Sequence, residues 1–161
     1  CMKTLVVYYS LEGNVDFVAR LLAKKLGADT FRLETVKDYP KQGLLKFLHG
    51  GKDSLSFAKP ALRSVPDFLG YDTVVLGAPV WAGKPAAPLN TLLSEVDFSG
   101  KRVAAFASSA GGSAQKTLSL IAERVRNAEV FSTASFKNPA RSPDAAGELI
   151  AAFAEKILGN A

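Results

Sequence analysis

Three apolar, β-rich runs in this chain each end in a turn of small or polar residues, and a stretch with helical spacing follows each turn. The runs are 4–9, 73–77 and 102–107. Unbroken apolarity marks a strand covered on both faces, because a strand with one wet face alternates instead. After the first run, Val15, Val18, Ala19, Leu22 and Leu26 recur at helical spacing and Gly27 supplies a C-terminal stop. A turn through 79–88 leads from the second run to Leu89, Leu92, Leu93 and Val96, and a turn at 108–113 leads from the third to Leu118, Ile121, Ala122 and Val125. Residues 129–136 predict a last strand. Ser142, Pro143 and Asp144 then place a capping hydroxyl, a first-turn proline and an acid before a final helix, with Leu149, Ile150, Phe153 and Ile157 as its buried stripe. Residues 30–34 alternate, which predicts the least buried strand at a sheet edge. Five strands alternating with helices imply an α/β fold: a doubly wound parallel sheet with right-handed crossovers and helices on both faces.

A length of 161 residues suits a single domain over 1–161 with its own core. No apolar run approaches the roughly 20 residues of a membrane helix, and Lys3 leads straight into a strand-like run without a signal-peptide pattern. A cytoplasmic protein is expected. The one cysteine, Cys1, stands before Met2, which excludes internal disulfides and cysteine-based metal sites. Between 36 and 70 the pattern is irregular, with Pro40, Gly43, Gly50, Gly51, Pro60 and Pro66 around a short apolar stretch at 44–48, so a loop holding one short helix is predicted. Between 37 and 63, six cations (Lys37, Lys41, Lys46, Lys52, Lys59, Arg63) face only Asp38 and Asp53. That basic run is either a solvated surface or an attractor for an anionic partner.

In sheets of this kind ligands bind beyond the carboxyl ends of the strands, where strand order reverses. Three turns lie there. The first, Ser10, Leu11, Glu12, Gly13 and Asn14 with Val15 behind it, joins a hydroxyl, a glycine and an amide to a helix N-terminus, where free N–H groups and the helix dipole favour a phosphate; a plain capped turn looks the same. The second, Ala78, Pro79, Val80, Trp81, Ala82 and Gly83, carries the only tryptophan on an expected loop. Its ring covers either a planar ligand or its own domain's surface. The third, Ser108, Ser109, Ala110, Gly111, Gly112 and Ser113, lets backbone run against the edge of a flat polar ring, or is simply glycine-rich. Phosphate, ring face and ring edge are parts of one mononucleotide, so the three readings support one another.

Residues 5–14 (Leu-Val-Val-Tyr-Tyr-Ser-Leu-Glu-Gly-Asn), followed by 77–83 (Gly-Ala-Pro-Val-Trp-Ala-Gly), resemble the flavodoxin family over essentially the whole chain, in its short-chain form. The resemblance implies a flavodoxin-like sheet of order 2-1-3-4-5 and flavin mononucleotide (FMN) as cofactor. It places the phosphate on Ser10–Val15, Trp81 against the ring within 79–83, and Ser108–Ser113 on the polar edge. It also implies electron transfer with a redox protein partner, and no metal.

The chain departs from the family pattern at several positions. Glu12 and Val15 stand where the phosphate turn usually carries hydroxyls, which predicts weaker FMN binding, with the Glu12 side chain turned to solvent. Lys84 replaces the usual acidic edge; a cation there favours a reduced, anionic flavin and a less negative potential. Ala82 stands where many members have a glycine whose peptide flips, and positive φ costs alanine about 1 kcal/mol more than glycine. The third turn lacks the second covering aromatic, and His49 offers a proton donor near an open ring face. These features keep an FMN-dependent NAD(P)H:quinone-type reductase with a small-molecule acceptor beside the electron carrier with an acidic partner. No catalytic residue is assigned. A non-redox module binding nucleic acid through the basic run has no motif behind it. A Ser108 or Ser109 hydrolase lacks the nucleophile elbow, and a nucleotide-triphosphate enzyme lacks its phosphate loop.

Overall fold

A computed structural model of the chain describes residues 3–10, 13–35, 62–81, 84–85, 87–109 and 114–159, with Trp81, Lys84 and Pro85 described by backbone alone. The helix expected at 44–48, His49 and all of the basic run except Arg63 lie outside the described residues.

Strand β1 (Thr4–Tyr8) is buried along its whole length, as its β-branched and aromatic residues dictate. Helix α1 (Asn14–Leu26) follows, with Lys24 and Lys25 in its last turn, and stops at Gly27, whose φ of 63° is the left-handed conformation glycine adopts freely. The remaining elements are β2 (Asp29–Arg32), β3 (Thr73–Trp81), β4 (Lys84–Pro85), α2 (Ala87–Glu95), β5 (Arg102–Ser109), α3 (Gln115–Arg124), β6 (Val130–Lys137), a 3-10 turn (Pro139–Arg141) and α4 (Pro143–Gly159). Hydrogen bonding orders the sheet β2-β1-β3-β5-β6, every neighbour in that path parallel, while β4 pairs antiparallel with the end of β3. The five parallel strands alone run 2-1-3-4-5, as expected. The alternating strand β2 is at the edge and mostly exposed.

Side-chain alternation along the strands splits the core into two layers. Leu5, Val7, Val74, Leu76, Val103 and Ala105 pack with Leu89, Leu92, Leu118 and Ile121 of α2 and α3 on one face. Val6, Tyr8, Val75, Ala104 and Phe106 pack with Val18, Leu22, Ile150, Phe153 and Ile157 of α1 and α4 on the other. Phe106 reaches across the paired residue Gly77 and meets Phe136 and Phe153 edge-on, at 6.1 and 6.4 Å between ring centres.

Four expectations are corrected. Ala122 of α3 is exposed, and Leu149 of α4 is 56% exposed; each lies at the margin of its helix's apolar stripe, to one side of Ile121 and Ile150. The third strand does not stop at Gly77 but continues through Ala78, Pro79, Val80 and Trp81, so the tryptophan ends a strand and is not on a loop. Lys84 and Pro85 give that extension its partner, pairing with Trp81 and Val80. Pro79 is tolerated because β1 runs out beside Gly77, leaving β3 paired on one side only, with Pro79 opposite Ser108. Ser108 and Ser109, expected to open a turn, are buried strand residues because β6 extends to pair them with Phe136 and Lys137.

Candidate functional site

The chain leaves β1 toward β2 on one side and returns to β3 on the other, so the connections after β1 and β3 diverge at the carboxyl ends of those strands. The register sets Tyr8 beside Gly77 and Gly77 beside Phe106, which brings the turns after β1, β3 and β5 to one end of the sheet.

At the first turn Ser10 is buried, and its Oγ accepts the N–H groups of Gly13 (3.1 Å) and Asp16 (3.2 Å), capping α1. The oxygen's two lone pairs are thereby used, and its hydrogen is left to donate outward. Ser10, read from sequence as a ligand donor, is thus first a helix cap. Gly13 has φ 102°, and a Cβ there would meet nothing within 4 Å, so conformation rather than crowding selects glycine. The amides of Asn14 and Val15 have no acceptor among the described residues. The Val15 side chain is buried in the α1 layer of the core. Leu11 and Glu12, including the expected outward turn of Glu12, lie outside the described residues.

Behind this turn stands a charged network. Tyr8 Oη donates to Asp16 Oδ1 at 2.5 Å, Arg20 Nε donates to Asp16 Oδ2 at 2.9 Å, and Arg32 Nη1 lies 3.9 Å from Asp16 Oδ1. Arg32 Nη2 also donates to the Ser10 carbonyl at 2.8 Å. Burial, the hydrogen bond to Asp16 and that carboxylate's charge together push the Tyr8 phenol up to about 12. Burial raises Asp16, but hydrogen bonds from Tyr8 and Arg20 and the charges of Arg20 and Arg32 outweigh it and hold the carboxyl below its ordinary value. An unfolded tyrosine ionises near 10. The folded protein therefore binds more protons between pH 10 and about 12, and stability is lost as pH rises through that window. Asp16 acts in the opposite sense: its contribution is present above the ordinary carboxylate range and disappears as pH falls through its lowered value. Tyr8→Phe is expected to flatten the alkaline limb of a pH–melting curve between pH 10 and 12; an unchanged slope would break the assignment.

The second and third turns are partly strand, as described above. Pro79, Val80, Ser108 and Ser109 sit side by side at the ends of β3 and β5. Ala82, Gly83, Ala110, Gly111, Gly112 and Ser113 lie outside the described residues, as do the side chains of Trp81 and Lys84. Two contributors escaped the sequence reading. After β6 the chain turns at Asn138, whose φ of 43° is left-handed; its N–H donates to the Ser109 carbonyl at 2.9 Å, and the Ala140 N–H donates to Asn14 Oδ1 at 3.2 Å. The Asn138–Pro139 dipeptide is a turn signal that could have pointed to it. Arg32 had no such signal, being simply the polar residue of an alternating strand.

Among the described residues the other carboxylate held below its ordinary value is Asp97, which lies before β5, at the opposite end of that strand from Ser108 and Ser109. It accepts from the Ser99 hydroxyl and from Asn127, and also from the Ser99 backbone, which lowers it to about 2 at the turn preceding β5. Among the described residues no group of three or more His, Cys, Asp or Glu could hold a metal, and no helix is long and apolar enough to cross a membrane.

The strand order, with a left-handed glycine and a buried capping serine at the α1 N-terminus beside its switch point, defines the class: a doubly wound α/β protein. The family model described as flavodoxin matches residues 3–145, and the chain belongs to the flavodoxin family. Solved structures agree on the fold. A flavoprotein from Lactobacillus acidophilus NCFM, solved in complex with FMN, is 23% identical, with a TM-score of 0.73 over 89% of this chain and 98% of that one. Oxidised flavodoxin 2 from Bacillus cereus is 21% identical, with a TM-score of 0.63 over 99% and 100%. Two-electron reduced flavodoxin from Megasphaera elsdenii is 20% identical, with a TM-score of 0.55 over 94% and 98%.

Proposed function

We propose that the chain is an FMN-binding electron-transfer protein that holds the cofactor's phosphate on residues 10–15 and its ring between 79–83 and 108–113. The cradle at Ser10 and Gly13 is the observation that carries this, together with membership of the flavodoxin family. Bound FMN supplies oxidation and reduction by one or two electrons. The chain's own residues bind and orient it. The Ser10 hydroxyl and the Asn14 and Val15 amides supply neutral donors to a phosphate, while the rigid ends of β3 and β5 set a fixed surface for a flat ring.

Reconstitution tests the cofactor directly. Protein mixed with FMN and passed through a desalting column is expected to keep the yellow chromophore with shifted visible bands, and loss of all flavin at micromolar protein would refute the reading. A formal net charge of +5 favours an acidic redox protein as partner. Stopped-flow mixing of the loaded protein with NAD(P)H is expected to show no fast direct reduction, as befits a carrier. Rapid reduction followed by reoxidation with a quinone would turn the reading to a reductase.

A further inference from the structure

We propose that Arg32 is a positioning residue for the phosphate turn: it acts through the Ser10 carbonyl to set how strongly the turn prefers a phosphorylated flavin over an unphosphorylated one. The inference rests on the phosphate lying on residues 10–15. Arg32 ends the edge strand β2, in register with Tyr8. Its Nη2 donates to the Ser10 carbonyl at 2.8 Å, 22 residues away in sequence, while Ser10 Oγ on the other side of the same residue accepts the Gly13 and Asp16 amides. Ser10 is therefore gripped at both of its oxygens, one by a side chain from another strand and one by the helix it caps. Removing either grip frees the backbone that aims the hydroxyl hydrogen.

The charge matters as well as the grip. Asp16 is the one acid paired with Arg32 among the described residues, and it is already committed to closer partners, Tyr8 at 2.5 Å and Arg20 at 2.9 Å, against 3.9 Å to Arg32. Among the described residues two guanidinium groups thus share one carboxylate, which leaves net positive charge against the back of the turn. With the Val15 side chain buried in the core, the turn is poor in hydroxyl donors, and a cation behind Ser10 polarises the donors that remain. The Arg32 side chain is 43% exposed, so solvent screens this charge and the effect is moderate.

The test compares FMN with riboflavin, which carries the same ring without the phosphate, by fluorescence-quenching titration of wild type, Arg32→Met and Arg32→Lys. Wild type is expected to prefer FMN. Arg32→Met is expected to bind FMN about tenfold more weakly, the order of one charge-assisted hydrogen bond, with riboflavin affinity unchanged within about twofold; Arg32→Lys should fall between. Equal weakening toward both flavins would mean a merely structural role and overturn the proposal, as would an FMN preference retained in Arg32→Met or a lysine variant no better than methionine. No FMN preference in wild type would instead remove the phosphate from this turn, and the proposal with it.

Discussion

Gly77→Ala is expected to lower the melting temperature by roughly 6–12 °C, corresponding to about 3 kcal/mol of lost stability in a chain of this size. A Cβ at Gly77 would stand 2.2 Å from Phe106 Cζ and 2.6 and 2.7 Å from the adjoining ring carbons, well inside van der Waals contact. The ring cannot retreat cheaply. Phe106 is fully buried and wedged edge-on between Phe136 and Phe153, so either the ring leaves its rotamer or β3 and β5 separate at a paired position. Phe106→Leu shortens the side chain and is expected to restore part of the loss in the Gly77→Ala background while being destabilising alone. Such a sign change in a double-mutant cycle is the mark of a steric pair. Additive losses would place the cost of the alanine elsewhere. The Gly77 carbonyl also accepts the Tyr9 N–H at 3.1 Å, immediately before the phosphate turn, so the same substitution is expected to weaken FMN binding.

Ser10→Ala carries the second large effect, and it has two separable parts. Removing Oγ strips the cap from α1, for which about 1 kcal/mol is expected in the protein without flavin. With the phosphate placed as proposed, it also removes a charge-assisted donor, and roughly 10- to 100-fold weaker FMN binding is expected. Calorimetric melting of the flavin-free protein reads the first and an FMN titration reads the second. Ser10→Thr keeps the hydroxyl and is expected to preserve both. An alanine variant that melts lower yet binds FMN as wild type would show that Ser10 only caps the helix.

Much of the fold was legible because each of its signals is local. The unbroken apolar runs of β1, β3 and β5 could belong only to strands covered on both faces, and Gly27 announced where α1 ends. Strand ends were less legible, because length is decided by the neighbour. Nothing within 78–81 or 108–109 reveals that β4 and β6 extend far enough to pair those residues, and Pro79 argues locally against a strand. The same holds for the site. Ser10, Gly13 and Asn14 stood out by type and position, as a hydroxyl, a glycine and an amide ahead of a helical stripe, although a plain capped turn carries the same residues. Arg32 and the 138–141 turn reach the site only through tertiary contacts spanning 22 and 126 residues, which no spacing rule encodes.

The hydrogen bond from the Ala140 amide to Asn14 ties the start of α1 to the turn that launches α4, and these two helices pack on the same face of the sheet. Local opening of the C-terminal helix therefore also loosens the phosphate turn, so the two should exchange their amide protons as one cooperative unit. Flavin occupancy would then slow deuterium uptake along α4, outside the residues proposed to hold it.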